Sequence, residues 1–214
     1  MNTLTKLALG AMGRLHPRPA QGDAAPKFVL PAPDRSGGMP LMEAISKRRS
    51  DREFARTELP LPLLSGLLWA ADGVNRPDGG RTAPSAINAQ EIDVYVALPS
   101  GAYHYDATAN TLQLVAGTDV RRVTGYQDFV DEAPLDLVFV ADHGRMKLIP
   151  AASREGYAFA AAGAISQNVY LFAASNGLAT VIRAWIDRDA IASALGLDHD
   201  QQVLLSQTVG FPKG

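Results

Sequence analysis

The chain has 214 residues, of which 47% are apolar, enough to bury a continuous core in one large domain or two small ones. Its 20 basic and 22 acidic side chains leave a net charge of −2 and a pI near 6.1, which supplies no field for gripping nucleic acid non-specifically. There is no cysteine, so disulfides, thiolate metal sites, iron–sulfur clusters and cysteine nucleophiles are all excluded, and redox chemistry would need a borrowed cofactor.

Near the start, Lys6 precedes the apolar run Leu7-Ala8-Leu9-Gly10-Ala11-Met12-Gly13 in the manner of a short signal peptide. Arg14 and His16 interrupt the run and no clear small-x-small cleavage site follows directly, so cytoplasmic residence is expected. No segment approaches the roughly 20 apolar residues that span a bilayer. Between residues 16 and 40 stand Pro17, Pro19, Pro26, Pro31, Pro33 and Pro40, which forbid a continuous helix and predict an extended arm over residues 1–40. The remainder, 41–214, is expected to form a single α+β domain.

Residues 41–48 are read as a short helix with Leu41, Met42 and Ile45 on one side, and 60–71 as another with prolines in its first turn. Between them lies Arg48-Arg49-Ser50-Asp51-Arg52, three guanidinium groups and a hydroxyl in five residues. Guanidinium forks match phosphate oxygens in pairs, although a basic run at a helix end is more often a solvated face that complements the helix dipole. A polar, glycine-containing loop over 73–80 leads to Pro84-Ser85-Ala86-Ile87-Asn88-Ala89-Gln90. There a hydroxyl and two amides are offered, groups that suit a flat heterocycle with alternating carbonyls and ring nitrogens. Alternatively, Ser85 caps a helical turn that Asn88 ends.

Beyond Gln90 the period falls to two, predicting three antiparallel strands: Ile92 to Leu98, Gly101 to Asp106, and Thr111 to Val115. After a short polar helix near 120–124, the apolar run Leu135 to Ala141 suits a strand buried on both faces in the middle of the sheet. Residues 154–175 form the longest helical pattern, rich in alanine around much of its circumference and stopped by Gly177, which predicts burial in the core or at a subunit interface. A strand over 179–182, a helix capped by Asp187 and ending before Gly196, and a strand over 203–209 complete the order. His16, His104, His143 and His199 lack metal-ligand spacing, so no metal site is assigned. No dinucleotide glycine fingerprint, phosphate-binding P-loop or nucleophile-elbow serine is present.

Arg48-x-Ser50-x-Arg52 followed by Pro84-Ser85-x-x-Asn88-x-Gln90 resembles the nitroreductase family of FMN-dependent oxidoreductases. Gly163 to Gly177-Leu178 looks like that family's central helix, Leu195-Gly196-Leu197 its last helix and Gly210-Phe211-Pro212 its closing turn, so the resemblance covers roughly residues 41–212. Within the family, Gly101-Ala102-Tyr103-His104-Tyr105-Asp106 with Leu112 and Leu114 resembles the branch containing azoline-oxidising dehydrogenases of peptide-modifying systems. For that branch's catalytic lysine and tyrosine, Lys147 and Tyr157 are the nearest candidates.

The resemblance implies a mainly antiparallel central sheet flanked by helices, in a homodimer with FMN sites at the interface. It implies that Arg48 meets the flavin phosphate, that Ser50 bonds near the phosphate or ribityl chain, and that Arg52 lies beside the pyrimidine edge, where a fixed cation stabilises negative charge. Arg49 is a further candidate, and Pro84, Ser85, Asn88 and Gln90 are implied contacts, the first two from the partner subunit. Glu91 stands where many relatives have proline, and the sequence ends at Lys213-Gly214 where many continue to further basic phosphate ligands, so Lys213 joins the candidate set. The implied activity is ping-pong transfer of electrons from NAD(P)H to a small acceptor such as a nitroaromatic or quinone, with no side-chain acid or base required. Two other readings stay open: a flavin-binding component of a peptide-modification complex without its own NAD(P)H turnover, and a structural dimer that has lost its cofactor. Residues 126–134 and 144–153 are the expected substrate loops.

Overall fold

A computed structural model describes all residues from Met1 to Gly214. In chain order it contains α1 (Thr3–Ala11), β1 (Arg18–Pro19), β2 (Lys27–Val29), α2 (Leu41–Lys47), α3 (Leu61–Asp72), β3 (Ile92–Leu98), β4 (Gly101–Asp106) and β5 (Thr111–Ala116). Then follow β6 (Thr118–Asp119), β7 (Leu135–Asp142), α4 (Ala151–Ser175), β8 (Ala179–Arg183), α5 (Arg188–Leu195) and β9 (Gln201–Gly210). Seven strands form one sheet in the order β2-β5-β4-β3-β7-β9-β8, antiparallel at every pairing. The α+β class and the antiparallel sheet flanked by helices are as expected. β3 is the middle strand, with β7 beside it.

Helices cover both faces of the sheet, which is why β7 reads as an unbroken apolar run. Ile92, Val94 and Val96 of β3 point with Leu137 and Phe139 of β7 into the larger core, against Leu67 and Leu68 of α3 and Ala162 and Ile165 of α4. Tyr95, Ala97, Val138 and Val140 point the other way, against Ile191 and Leu195 of α5. Asp187 caps α5 by accepting the Ala190 N–H at 3.0 Å, and Gly196 ends it at φ +66°, a left-handed conformation that costs glycine little.

In the single protomer α4 is buried along one side only. Ala158, Ala162, Ile165, Val169 and Ala173 pack on the sheet, whereas Gly156, Ala160, Gly163 and Gln167 form an exposed stripe in the single protomer. Small side chains on that stripe leave the helix open to close approach by another surface.

The first 40 residues hold more regular structure than their prolines suggest. α1 lies before the first proline and is anchored by Lys6, which is completely buried, 2.6 Å from Asp131, and donates to the Gly125 and Gln127 carbonyls. A lysine that looks like the basic flank of a targeting segment is thus an internal ion-pair partner. β2, between Pro26 and Pro31, adds to the edge of the sheet beside β5, a position where flanking prolines cost no central ladder bonds.

Candidate active site

α2 ends at Lys47, and at Arg48, its C-cap, the backbone turns out of the helix to φ −56° and ψ 124°. The next residues run along the outer edge of β8: the Asp51 N–H donates to the Thr180 carbonyl at 3.0 Å. Farther on, the Ala55 N–H donates to the Phe211 carbonyl and the Lys213 N–H to the Glu53 carbonyl, so the C-terminal segment lies against the arginine loop. Lys213 is thereby brought to the same region, with its side chain exposed.

Four side chains of this loop have distinct settings. The Arg48 guanidinium stacks 5.2 Å from the Tyr170 ring centroid, a cation–π contact with α4. Ser50 Oγ is 2.8 Å from the Tyr170 hydroxyl, which also accepts the Ile182 N–H at 3.0 Å. Arg49 is exposed and pairs with Asp51 at 3.3 Å, while Arg52 is exposed with no ion pair. Arg48, Arg49, Tyr170, Gly177 and Thr180 help line an open cavity of about 550 Å³. Sequence reasoning missed Tyr170 because it falls on the apolar stripe of α4; its hydroxyl acquires a purpose only through β8 and the loop.

The second segment is a tight turn. Ser85 Oγ accepts the Gln90 N–H at 2.9 Å, closing a loop whose 3-10 turn spans Ala86–Asn88. Ile87, Asn88 and Gln90 all have positive φ, at 50°, 56° and 50°. For the β-branched Ile87 this is a strained conformation of the kind that clusters at functional sites. Ile87 is 65% exposed, Pro84 and Asn88 are exposed too, and the loop therefore presents its apolar tip outward. Gln90 has its amide occupied within the loop: it donates to the Gly79 carbonyl at 3.0 Å and to Asn88 Oδ1 at 3.3 Å, and accepts from Arg81 Nε at 3.2 Å.

Beneath the loop lies a charged cluster that the sequence did not reveal. Arg145 donates to the Gln90 carbonyl at 2.8 Å, grips both oxygens of Asp93 at 2.8 and 2.7 Å, and pairs with Asp142 at 3.0 Å. Burial alone would raise the Asp93 carboxyl, but hydrogen bonds from His104 and Arg145 hold it below the usual range. Asp72 goes the other way: burial pushes it up to about 7 against the opposing pull of Arg81, 3.5 Å away. Glu91 is fully buried, neither of its carboxyl oxygens has a partner, and burial raises it.

The two candidate segments lie at opposite ends of the sheet. Thr180, beside Asp51, pairs with Val209, which pairs with Leu135 at the start of β7. Ile92, two residues beyond Gln90, pairs with Ala141 near the end of β7. Six residues of strand separate these levels, about 20 Å. The cavity at Arg48 accordingly draws no residue from the second segment.

The protein-family comparison matches this chain to the nitroreductase family over residues 45–211. A candidate nitroreductase of Methanocaldococcus jannaschii is 31% identical over 160 residues, spanning 70% of this chain and 81% of that one. The crystal structure of a candidate nitroreductase from Ralstonia eutropha superposes with a TM-score of 0.90 at 52% identity, covering 94% of this chain and 96% of that one. A chain of the E. coli microcin synthetase complex shares the fold at 18% identity, with a TM-score of 0.68 over 99% of this chain and 93% of that one. No helix here is long and apolar enough to cross a membrane. With its profile match, its near-complete superposition on the Ralstonia protein and its seven-stranded antiparallel sheet, the chain belongs to the nitroreductase family of oxidoreductases.

Proposed function

We propose that the protein is a homodimeric, FMN-dependent NAD(P)H oxidoreductase of the cytoplasm. Residues 41–214 form its flavin-binding domain, and residues 1–40 an arm packed on it. The observation that carries the reading is the Arg48–Tyr170–Ser50 arrangement at the end of α2. It fits a phosphorylated ligand: Arg48 is stacked on an aromatic face without an acidic partner, which leaves its donors available for phosphate oxygens. If Tyr170 donates to Ser50 while accepting from Ile182, the Ser50 hydroxyl hydrogen is free for the same ligand. Arg49 and Lys213 add positive charge at the rim, and Arg52 would stand beside the ring's pyrimidine edge.

A planar cofactor seated at Arg48 cannot reach Pro84, Ser85 and Asn88 of its own protomer, given their separation along β7. A second copy can supply them. The exposed small-residue stripe of α4 and the exposed Leu41, Met42 and Ile45 of α2 offer an apolar surface for that pairing. Gln90 then acts by holding the loop in shape rather than by touching the ligand. Bound FMN would supply hydride acceptance from a nicotinamide and delivery of electrons to a nitroaromatic, quinone or similar acceptor.

The test is the absorbance spectrum of purified protein, before and after mixing with FMN. A flavin spectrum, with release of FMN on denaturation, is expected; no flavin bound under either condition overturns the reading. Arg48→Ala should weaken FMN retention by about tenfold. Gel filtration at the mass of one chain would remove the homodimer.

A second reading, a dehydrogenase-like component of a peptide-modification complex without its own NAD(P)H turnover, is favoured by one observation: the microcin synthetase chain aligns with 99% of this chain, arm included. Lys147 is exposed beside the start of α4 and Tyr157 is half exposed on it. Steady NAD(P)H oxidation by the isolated protein excludes this alternative.

A further inference from the structure

The arm and the loop that follows α3 line a second open cavity, of about 770 Å³, on the flank of the domain beside the turn between β4 and β5. Its size is that of a small-molecule site. Among its walls are Arg35, Trp69, Asn75, Arg76, Tyr105 and Asn110, and no carboxylate lines it. The Arg35 guanidinium lies over the Trp69 ring at 5.2 Å from its centroid, and no ion pair holds it. Arg76 folds back over Gly80, where any side chain would collide with its guanidinium; its nearest acid is the exposed Asp78 at 3.6 Å. Tyr105 and Asn110 are tied into the wall, since the Tyr105 hydroxyl donates to Asn110 Oδ1 and the Asn110 amide donates to the Leu30 and Pro31 carbonyls.

We propose that this cavity is a ligand site for an aromatic carboxylate, with Arg35 and Arg76 selecting its charge and Trp69 its ring. A guanidinium stacked on an indole keeps its in-plane donors free, so Arg35 can form a paired hydrogen bond with a carboxylate without leaving Trp69. Apolar walls from Leu30, Val74 and Pro77 suit the body of an aromatic ligand. The loop that forms one wall is bonded to the segment placed against the flavin above: Gln90 donates to the Gly79 carbonyl and accepts from Arg81. A ligand held here is therefore next to that segment, and the inference that it is an electron acceptor rests on the flavin reading. Its binding does not.

The experiment compares 4-nitrobenzoate with the uncharged 4-nitrobenzamide in equilibrium dialysis against the full-length protein. Fluorescence of Trp69 is followed in a Trp185→Phe background, because the chain has only two tryptophans. The carboxylate is expected to bind about tenfold more tightly than the amide and to quench Trp69. Arg35→Gln and Arg76→Gln should each reduce that preference, and together abolish it, while circular dichroism and the unfolding temperature stay unchanged. Equal affinity for the two probes, a preference that survives the double substitution, or binding without quenching of Trp69 overturns the proposal. Dialysis needs no turnover: a flavin-free protein that still prefers the carboxylate sinks the flavin reading alone, and a flavin-replete protein with no preference sinks this one alone.

Discussion

The Tyr170 and Ser50 hydroxyls meet at 2.8 Å, and through them α4 is joined to the loop that leaves α2. Because the same Tyr170 oxygen accepts the Ile182 N–H, one phenol fixes the arginine loop against both the long helix and the edge strand. Tyr170→Phe keeps the ring under Arg48 but leaves the Ile182 N–H without its partner. A cost of about 1 kcal/mol is expected, which for a chain of this size is a fall of about 2–4 °C in unfolding temperature. Differential scanning calorimetry checks it, and an unchanged midpoint would show that water replaces the phenol at no cost. If FMN seats at Arg48 as proposed, its retention should fall as well, since Ser50 loses its orientation.

A buried ion pair links β7 to β8. Asp136 accepts from Arg183 at 2.6 Å, from Thr124 at 2.9 Å and from the Thr208 hydroxyl, and both charged groups are buried. Arg183→Met leaves a carboxylate in the core and should cost about 3–5 kcal/mol, read as a lower urea midpoint. Adding Asp136→Leu should recover part of that loss, because the unpaired charge is then gone. A loss below about 1 kcal/mol in the single variant would show that the hydrogen bonds from Thr124 and Thr208 suffice for the carboxylate and would overturn the pair as the link.

Asp72 gives stability a pH dependence of definite sign. In the unfolded chain its carboxyl ionises near its ordinary value of 3.8, whereas burial holds the folded form protonated up to about 7. Between these values the folded state binds more protons, so stability falls as pH rises from about 4 to about 7 and levels off above. Asp72→Asn should flatten that slope and raise the urea midpoint at pH 8 relative to the parent. Glu91, raised by burial and without hydrogen-bond partners, predicts the same behaviour for Glu91→Gln. Slopes as steep in both variants as in the parent would assign the effect to other groups.

Ile87 carries a left-handed backbone that asparagine tolerates far better. Judged from one protomer, in which the side chain is largely exposed, Ile87→Asn should leave stability unchanged or raise it by up to about 1 kcal/mol. In a dimer that covers the loop tip, the same change should destabilise and weaken association. Thermal unfolding at two protein concentrations separates the two results, and only the second supports a site shared between copies.

Much of this architecture was legible in the chain. Period-two runs gave β3, β4 and β5, and the apolar run from Leu135 gave β7, because alternation and burial on both faces leave different patterns. Asp187 and Gly196 marked the ends of α5, since capping acts within a few residues of sequence. The pairing of Arg48-x-Ser50-x-Arg52 with Pro84-Ser85-x-x-Asn88-x-Gln90 pointed to the family that the comparisons then established. Helix α1 and strand β2 were not foreseen: Lys6 is stabilised by Asp131, 125 residues away, and β2 by pairing with β5.

By itself, then, the sequence determined the fold class, the family and the residue types of the candidate site, because these rest on local periodicity, capping and short motifs. Tertiary structure decided the rest. It put Tyr170 behind Ser50, spent the Gln90 amide inside its own loop, gathered Arg145, Asp93 and Glu91 beneath that loop, and set the two motifs at opposite ends of β7. Each of those outcomes depends on contacts between residues distant in the chain, formed only when the sheet closes between its helices, and no spacing along the sequence encodes them.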